Sequence, residues 1–506
     1  MISSNNIINK YAKHNKDNFS FKNYNNDNSK ILIEFHGWSS AHICFSYLIE
    51  ALNKKFKSKL TAYEGYTLIS ANLKLTTYQK FKYFLSKNFV GKFFKLYRSF
   101  GVTEFIRPSL SESIIAKSNK EFNLSFNKIN KYNLSEYEIN GIRVGDLIYD
   151  TYLKIFKQVT LDTKSTLFKN FFKDSLKLYF YWDDYFKNNK IKAMVIVHST
   201  YLYGIPIRIA CLKKIPVFKG TFNTIYHIRK KNYHTGQEFF TFKEKYKKLN
   251  PKIKKNLFLV AKNNLDNLSL NISKKRSIKK HPKVLIAAHN FYDSPHVFGK
   301  MLFPDFYEWL KFIVKEVSKN NLECFLKLHP KNNNKEIHLI NEILKKNNKI
   351  KLLKPNTRLE KILKLGIQYV FTCYGTVGYE YAYYGLTGIN SSKTNPHIQY
   401  KFNIHPKNII ELKKIIENVE KYKIKIKRKE IIEFFVMRRF YYVYNWLNIN
   451  RKKFLKGFGW KTDIYKPKMY DEWMKQWNEE NHKRIQKEIK NFISTKSYRL
   501  INPKYL

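Results

Sequence analysis

Val284-Leu-Ile-Ala-Ala288 followed by His289, Cys324-Phe-Leu-Lys-Leu328 followed by His329-Pro330, and Gln368-Tyr-Val-Phe-Thr372 followed by Tyr374-Gly375-Thr376-Val377-Gly378-Tyr379-Glu380 decide the fold. Each is a short apolar run bounded by polar loop residues, which predicts a strand buried on both faces. The last run opens into a helical pattern. Strands alternating with helices predict parallel βαβ units. In such a sheet the carboxyl ends of the strands share one edge, and ligands bind in the crevice there. A helix N-terminus beside the crevice favours an anion through its free N–H groups and dipole.

The same plan recurs earlier in the chain. Ile31-Leu-Ile-Glu-Phe35 predicts a buried strand, followed by the turn His36-Gly37-Trp38-Ser39-Ser40, a helix over 42–53 and a second strand at Leu60-Thr-Ala-Tyr63. Glu64-Gly65 follows at once. Ala193-Met-Val-Ile-Val197 ends at His198, and Ile215-Pro-Val-Phe218 forms a further short strand. A helical pattern covers 77–100. The expected layout is a polar lead-in over 1–29, a first Rossmann-like domain over 30–270 with a helical insertion, a basic linker, a second Rossmann-like domain over 283–420, and helices over 421–506. Those helices are expected to pack back on the first domain.

The chain has 506 residues and 43% hydrophobic residues, enough for two or three cores. Its net charge is +56, from 95 Lys and Arg against 39 Asp and Glu. Codon bias accounts for the abundance of Lys and Asn but not for the shortage of acids. A basic surface attracts nucleic acid, anionic lipid or acidic substrates. The basic residues are spread through the chain without a zinc-knuckle, RNP or basic-zipper pattern, so no nucleic-acid partner is expected. Cys44, Cys211, Cys324 and Cys373 lie in or beside apolar runs and form no CxxC pair, which predicts buried thiols in a reducing cytoplasm. The first 30 residues lack the apolar core of a secretory signal, and no run of about 18 apolar residues occurs.

Two Rossmann-like domains facing a cleft, with C-terminal helices, is the plan of the GT-B glycosyltransferases. Lys327-Leu-His329-Pro330 and Tyr374-Gly-Thr376-Val-Gly378-Tyr-Glu380 resemble the second domain of capsule and surface polysaccharide biosynthesis proteins, including the Kdo transferases. Gly141-Ile-Arg-Val-Gly-Asp-Leu-Ile-Tyr-Asp150 and His198-Ser-Thr-Tyr-Leu-Tyr-Gly204 are similar to pieces of other surface-carbohydrate proteins. The resemblance implies transfer from a nucleotide-sugar, CMP-linked and Kdo-like, to a growing polysaccharide or lipid-linked acceptor. A CDP-glycerol-type glycerophosphotransferase shares the fold and the His-Pro pair. A nucleotide-sugar epimerase is a further alternative. A basic nucleic-acid-binding protein and a non-catalytic scaffold are alternatives of other classes.

The expected donor site comprises His289, Lys327, His329, Pro330, Gly375, Thr376, Gly378 and Glu380. Pro330 ends its strand because it has no N–H to give the ladder, which leaves His329 at the sheet edge. Lys327, His329 and the Thr376 turn would neutralise charge on the leaving phosphate, and Glu380 would accept from ribose hydroxyls. His36, Glu64 and His198 are the candidate catalytic bases, with Asp146 a fourth. No cofactor is expected, and no metal; a His289, Asp293 and His296 triad is the one metal reading weighed. Asp183-Asp184 reads as a helix surface. Phe434-Phe-Val-Met-Arg-Arg-Phe-Tyr-Tyr-Val-Tyr-Asn-Trp446 reads as core packing, or as an interfacial surface for anionic lipid. The resulting location is cytoplasmic, with peripheral attachment to the membrane's inner face as an option.

Overall fold

The computed structural model describes residues 4–24, 28–65, 91–229, 237–268, 282–345, 347, 349–449 and 466–505. The expected linker over 270–282 lies almost wholly outside these residues, as does the helical pattern before 91.

The N-terminal lobe is built on strands β1 (Lys30–Glu34), β2 (Lys59–Tyr63), β3 (Glu104–Ile106), the small hairpin β4 (Glu138–Ile139) and β5 (Ile142–Arg143), then β6 (Ile191–Ile196), β7 (Val217–Thr221) and β8 (Thr224–Ile228). Its main sheet runs β3-β2-β1-β6-β7-β8, parallel throughout except for the β7–β8 hairpin. The C-terminal lobe holds β9 (Lys283–Ala287), β10 (Glu323–Lys327), β11 (Ile350–Leu353), β12 (Ile367–Thr372), β13 (Thr387–Asn390) and β14 (Asn403–Ile404), ordered β11-β10-β9-β12-β13-β14 and all parallel. Numbered within its own sheet, each lobe has the strand order 3-2-1-4-5-6 of the doubly wound fold. Two switch points follow, one between β1 and β6 and one between β9 and β12. The architecture is GT-B-like: two Rossmann-like domains and closing C-terminal helices.

The centres of both sheets are apolar because helices cover both faces. Ile31, Ile33, Ala193 and Val195 pack on one side of the first sheet; Leu32, Met194 and Ile196 belong to a separate core on the other. Val284 and Ile286 likewise part from Leu285 and Ala287. The period-two split of side chains makes each central strand serve two cores.

The segment expected as a polar lead-in is in fact largely helix, Ser4–Asn18. Ile8, Tyr11, Ala12 and Asn15 fall on one face at helical spacing and are buried. Tyr11 stacks on Tyr470 at 4.3 Å between ring centroids. Polar residues outnumber this narrow stripe, which concealed it in the sequence. Helices Lys468–Met474 and Glu479–Phe492 pack on helix Ser39–Phe56, so the end of the chain completes the N-terminal core. Helix Arg428–Val436 instead packs with Tyr379, Tyr383, Phe242 and Leu265. Most of the Phe434–Trp446 run is therefore core. All four cysteines are buried and free. Among the described residues no helix is long and apolar enough to cross a membrane.

Helix Gly145–Phe156 forms the seam between lobes. Asp150 accepts from His296 Nδ1 at 2.6 Å, and Tyr149 donates to Asp305 at 2.7 Å. Thr160 donates to the same Asp305 oxygen at 2.6 Å, while the other oxygen caps helix Phe306–Lys319 by accepting from Glu308 N–H. Burial pushes the Asp150 and Asp305 carboxyls up, and their hydrogen-bond donors oppose the shift. Asp146 is clamped by Arg208, at 2.7 Å for the Oδ2 bond, and both are buried.

Candidate active site

In the C-terminal lobe the three expected loops meet at His289. Its Nε2 accepts the Cys373 N–H at 3.1 Å and lies 3.2 Å from Thr372 Oγ1, which ties the end of β9 to the end of β12. The ring stacks on Phe306 at 4.5 Å. Burial, with the nearby His329 as a lesser cause, pushes its pKa down to about 3. His289 is thus a neutral imidazole whose lone pair is already used.

His329 sits in a tight turn. Its N–H reaches Asn332 Oδ1 at 2.8 Å, and its Nδ1 accepts the Lys331 N–H at 3.2 Å. That bond places the proton of the neutral ring on Nε2, the tautomer that donates to an anion. Pro330 is exposed at the turn. Glu336, wholly buried, staples this loop to the His289 loop. It accepts from Phe291 N at 2.7 Å, Asn332 Nδ2 at 3.0 Å and Asn333 N at 3.0 Å.

Lys327 is half-buried; burial lowers its pKa and Glu380 opposes that shift. Thr376 Oγ1 donates to Glu380 at 3.1 Å, and Arg439 stands 4.0 Å from the same carboxylate. Burial raises the Glu380 pKa, against Thr376, Arg439, Arg438 and Lys327. The two glycines of the turn serve close packing. A Cβ on Gly375 would meet Thr372 Oγ1 at 2.9 Å, and one on Gly378 would meet His397 at 3.0 Å and Asn390 at 3.2 Å.

The N-terminal lobe has its own junction at the first switch point. Glu34, at the end of β1, accepts the N–H groups of Val197 at 2.6 Å and His198 at 3.0 Å through Oε2. Its Oε1 faces His198 Nδ1 at 3.4 Å. Glu34 is 1% exposed. Trp38 meets the His198 ring edge-on at 4.2 Å, and Tyr203 stacks on it at 5.0 Å. Lys219 donates to Ser199 at 3.1 Å; burial depresses its pKa, and Glu34 and Glu238 hold it up. Tyr201, three residues beyond His198, has φ of 58°, an outlier for a bulky residue and of the kind that clusters at functional sites.

The candidate bases separate on this geometry. Glu64 is held by Arg107 in a bidentate pair, 2.7 Å on each arm. His36 accepts the Trp38 N–H on Nδ1 at 2.9 Å, and burial holds its pKa well below the usual range, with His42 and His198 adding to the effect. Each Glu64 oxygen is thus engaged by Arg107, and the Nδ1 lone pair of His36 by Trp38. With a proton on Nδ1 facing Glu34, His198 carries its lone pair on Nε2. Asp146 is spent on Arg208.

Three further side chains had a trace in the sequence but were passed over. Glu34 is the one carboxylate in the apolar run Lys30-Ile-Leu-Ile-Glu34, and Arg438-Arg439 is the one cationic pair in the aromatic run Phe434–Trp446. The metal triad is not gathered, since His289 faces Cys373 N–H and His296 faces Asp150; among the described residues no group of three metal-ligating side chains forms. Asp183 and Asp184, on helix Thr166–Asn188, pair with Lys187 and Lys117. A cavity of about 840 Å³ lies elsewhere, against helix Leu359–Lys364, lined by Asn267, Arg358, Glu360 and Lys361.

Tyr374, just past β12, is buried, and its hydroxyl donates to Ser294 O at 2.8 Å; burial pushes its pKa up, with nearby Asp293 and Asp150 adding to the effect. Phe298 contacts Tyr374 at 4.8 Å and Phe239 at 5.9 Å.

No protein-family model matches the sequence, and no curated protein matches it. Solved structures similar to the chain include UDP-GlcNAc 2-epimerase from Neisseria meningitidis bound to UDP-GlcNAc, at 12% identity over 81% of this chain and 97% of that one, with a TM-score of 0.24. A glycosyltransferase from Rickettsia africae is 10% identical over 83% and 95%, at 0.26. MurG from Acinetobacter baumannii is 9% identical over 81% and 95%, at 0.23. Scores this low carry no argument about activity; the strand orders of the two sheets establish the architecture on their own.

Proposed function

We propose that the protein is a glycosyltransferase that moves a sugar from a nucleotide-sugar, CMP-linked and Kdo-like, to a polysaccharide or lipid-linked acceptor. One observation carries the reading. A Glu34–His198 pair stands at one switch point, and Lys327 with the neutral His329 ring stands at the other, each at the strand ends where sheets of this kind bind ligands. Clefts between domains are where substrates of this size bind. The preference for CMP rests on the resemblance of the Lys327–His329–Pro330 stretch to capsule-synthesis enzymes.

In the reaction the acceptor hydroxyl attacks the anomeric carbon while the bond from that carbon to the phosphate oxygen breaks. His198 Nε2 takes the hydroxyl proton, and Glu34 stabilises the resulting imidazolium. Lys327 and His329 meet the charge growing on the departing phosphate. Placing such donors in advance, away from water, is usually the largest electrostatic contribution to rate. No step in this scheme requires a metal.

The test is a thermal-shift screen with CMP, CDP, UDP and GDP, since a ligand that binds only the folded state raises the melting temperature. CMP or CDP gives the largest shift, and His329→Ala diminishes it. Turnover of a CMP-sugar, of CDP-glycerol, and of UDP-GlcNAc without acceptor then separates transferase, glycerophosphotransferase and epimerase. Equal, negligible shifts with all four nucleotides would remove the donor site.

A further inference from the structure

Arg438 lies in a π-helical turn, Met437–Tyr441, that follows helix Arg428–Val436. Such turns are rare and recur at functional sites. The guanidinium lies over the rings of Phe239 at 5.3 Å, Tyr379 at 5.7 Å and Phe434 at 6.0 Å. Phe239 comes from the segment after β8 and Tyr379 from the helix after the Thr376 turn, and both pack with Phe434 in one aromatic core beside Glu380. Among the described residues it makes no hydrogen bond and no ion pair.

The nearest carboxylates have other partners. Glu238 pairs with Arg499 at 3.4 Å, and Glu380 takes Thr376 and faces Arg439. Rings can flank the faces of a guanidinium, but its five N–H groups still require acceptors. Arg438 is half-buried, so in the unliganded protein its N–H groups turn to water. Burial depresses its pKa, with Arg439 adding to the effect. Lys327 and Arg439 make the neighbourhood of Glu380 net cationic.

We propose that Arg438 is the specificity-determining seat for an oxyanion of the bound substrate. The oxyanion is a nucleotide phosphate or the carboxylate of an acidic sugar. This rests on the nucleotide-sugar reading of the same cleft. Bound substrate supplies the acceptors that the polypeptide withholds, and a fork of N–H donors suits either planar carboxylate or phosphate.

The experiment uses the full chain with Arg438→Met and Arg438→Lys. Calorimetry measures binding of pyrophosphate, CMP, CDP and a CMP-linked sugar acid, and a thermal melt reads the unliganded proteins. Arg438→Met leaves the unliganded melting temperature close to wild type, because the guanidinium has no protein acceptor among the described residues to lose and Met keeps the apolar packing against the rings. If the phosphate is the source, Arg438→Met weakens pyrophosphate, CMP and CDP about tenfold or more. If the sugar carboxylate is the source, it leaves those three unchanged and weakens only the sugar acid by a similar factor. Arg438→Lys keeps the charge without the fork and shows a smaller loss in the same ligands. Wild-type affinity for all four ligands in Arg438→Met, or in Arg438→Lys, would overturn the assignment. So would an Arg438→Met protein that fails to fold, since that outcome makes the guanidinium a packing element. Wild type that takes pyrophosphate through Arg438 but no nucleotide would overturn the function proposed above and leave Arg438's role standing. Wild type that binds none of the four would overturn both.

Discussion

At the first switch point a carboxylate, Glu34, accepts backbone N–H groups from the end of the fourth strand; at the second an imidazole, His289, does so. The two lobes thus lock the same pair of strand ends by the same geometry with opposite chemistry. A carboxylate beside His198 Nδ1 orients the ring, as the proposed proton transfer demands. A carboxylate in the place of His289 would set a negative charge under the loop where a phosphate is proposed to sit. The buried, uncharged imidazole gives the same lock without that repulsion. The difference between the lobes is a difference in the charge each must stabilise.

Exchanging the two chemistries breaks the comparison. The largest expected effect is His198→Ala, which lowers kcat by about 10²–10⁴-fold, the usual range for a lost general base, while nucleotide affinity stays put. A kcat within threefold of wild type would mean that another group takes the proton. Next, His289→Glu keeps an acceptor for the Cys373 N–H but adds the negative charge. Calorimetry is expected to read CMP or CDP affinity down by tenfold or more, against a smaller change in kcat for the nucleotide that still binds.

A third prediction concerns acid. Burial pushes His42 and His289 down to about 3, and holds His36 and His397 well below the usual range. Below a pH of about 6.5 the unfolded chain takes up these protons and the folded chain does not. The unfolded state then binds more protons, so stability falls as pH falls from about 6.5 towards 3, by up to about 1.4 kcal/mol per pH unit for each histidine. Two of the four lie in each lobe, so both lobes lose stability together. A melting temperature that is flat from pH 7 to pH 4 would count against this burial. The smallest effect is expected from Glu64→Gln. With Glu64 spent on Arg107, kcat should change by less than about tenfold; a loss as large as that of His198→Ala would make Glu64 the base.

The central strands were legible because interior parallel strands are unbroken apolar runs: Ile31–Phe35, Ala193–Val197 and Val284–Ala288 each fall within one or two residues of the observed element. The edges were not. β3 is three half-buried residues, β11 exposes Lys351 and Leu352, and β13 reads Thr-Gly-Ile-Asn, a sequence whose burial comes from neighbours rather than from its own composition. His329, Lys327 and Thr376 could be found because strand ends fix where a loop begins. Glu34 and Arg438 left only a faint trace, because their surroundings are set by partners more than 150 residues away, Val197 for one and Phe239 for the other. Glu64 and His36 were equally visible as strand-end residues, and only the distances to Arg107 and Trp38 reveal the partners that hold them.

The division of labour between the lobes is tested most directly by titrating one nucleotide, CMP, into wild type, His198→Ala and His329→Ala by calorimetry. The account predicts equal Kd for wild type and His198→Ala, and a Kd weaker by about tenfold or more for His329→Ala. Equal loss in both variants, or undiminished binding in His329→Ala, would contradict it.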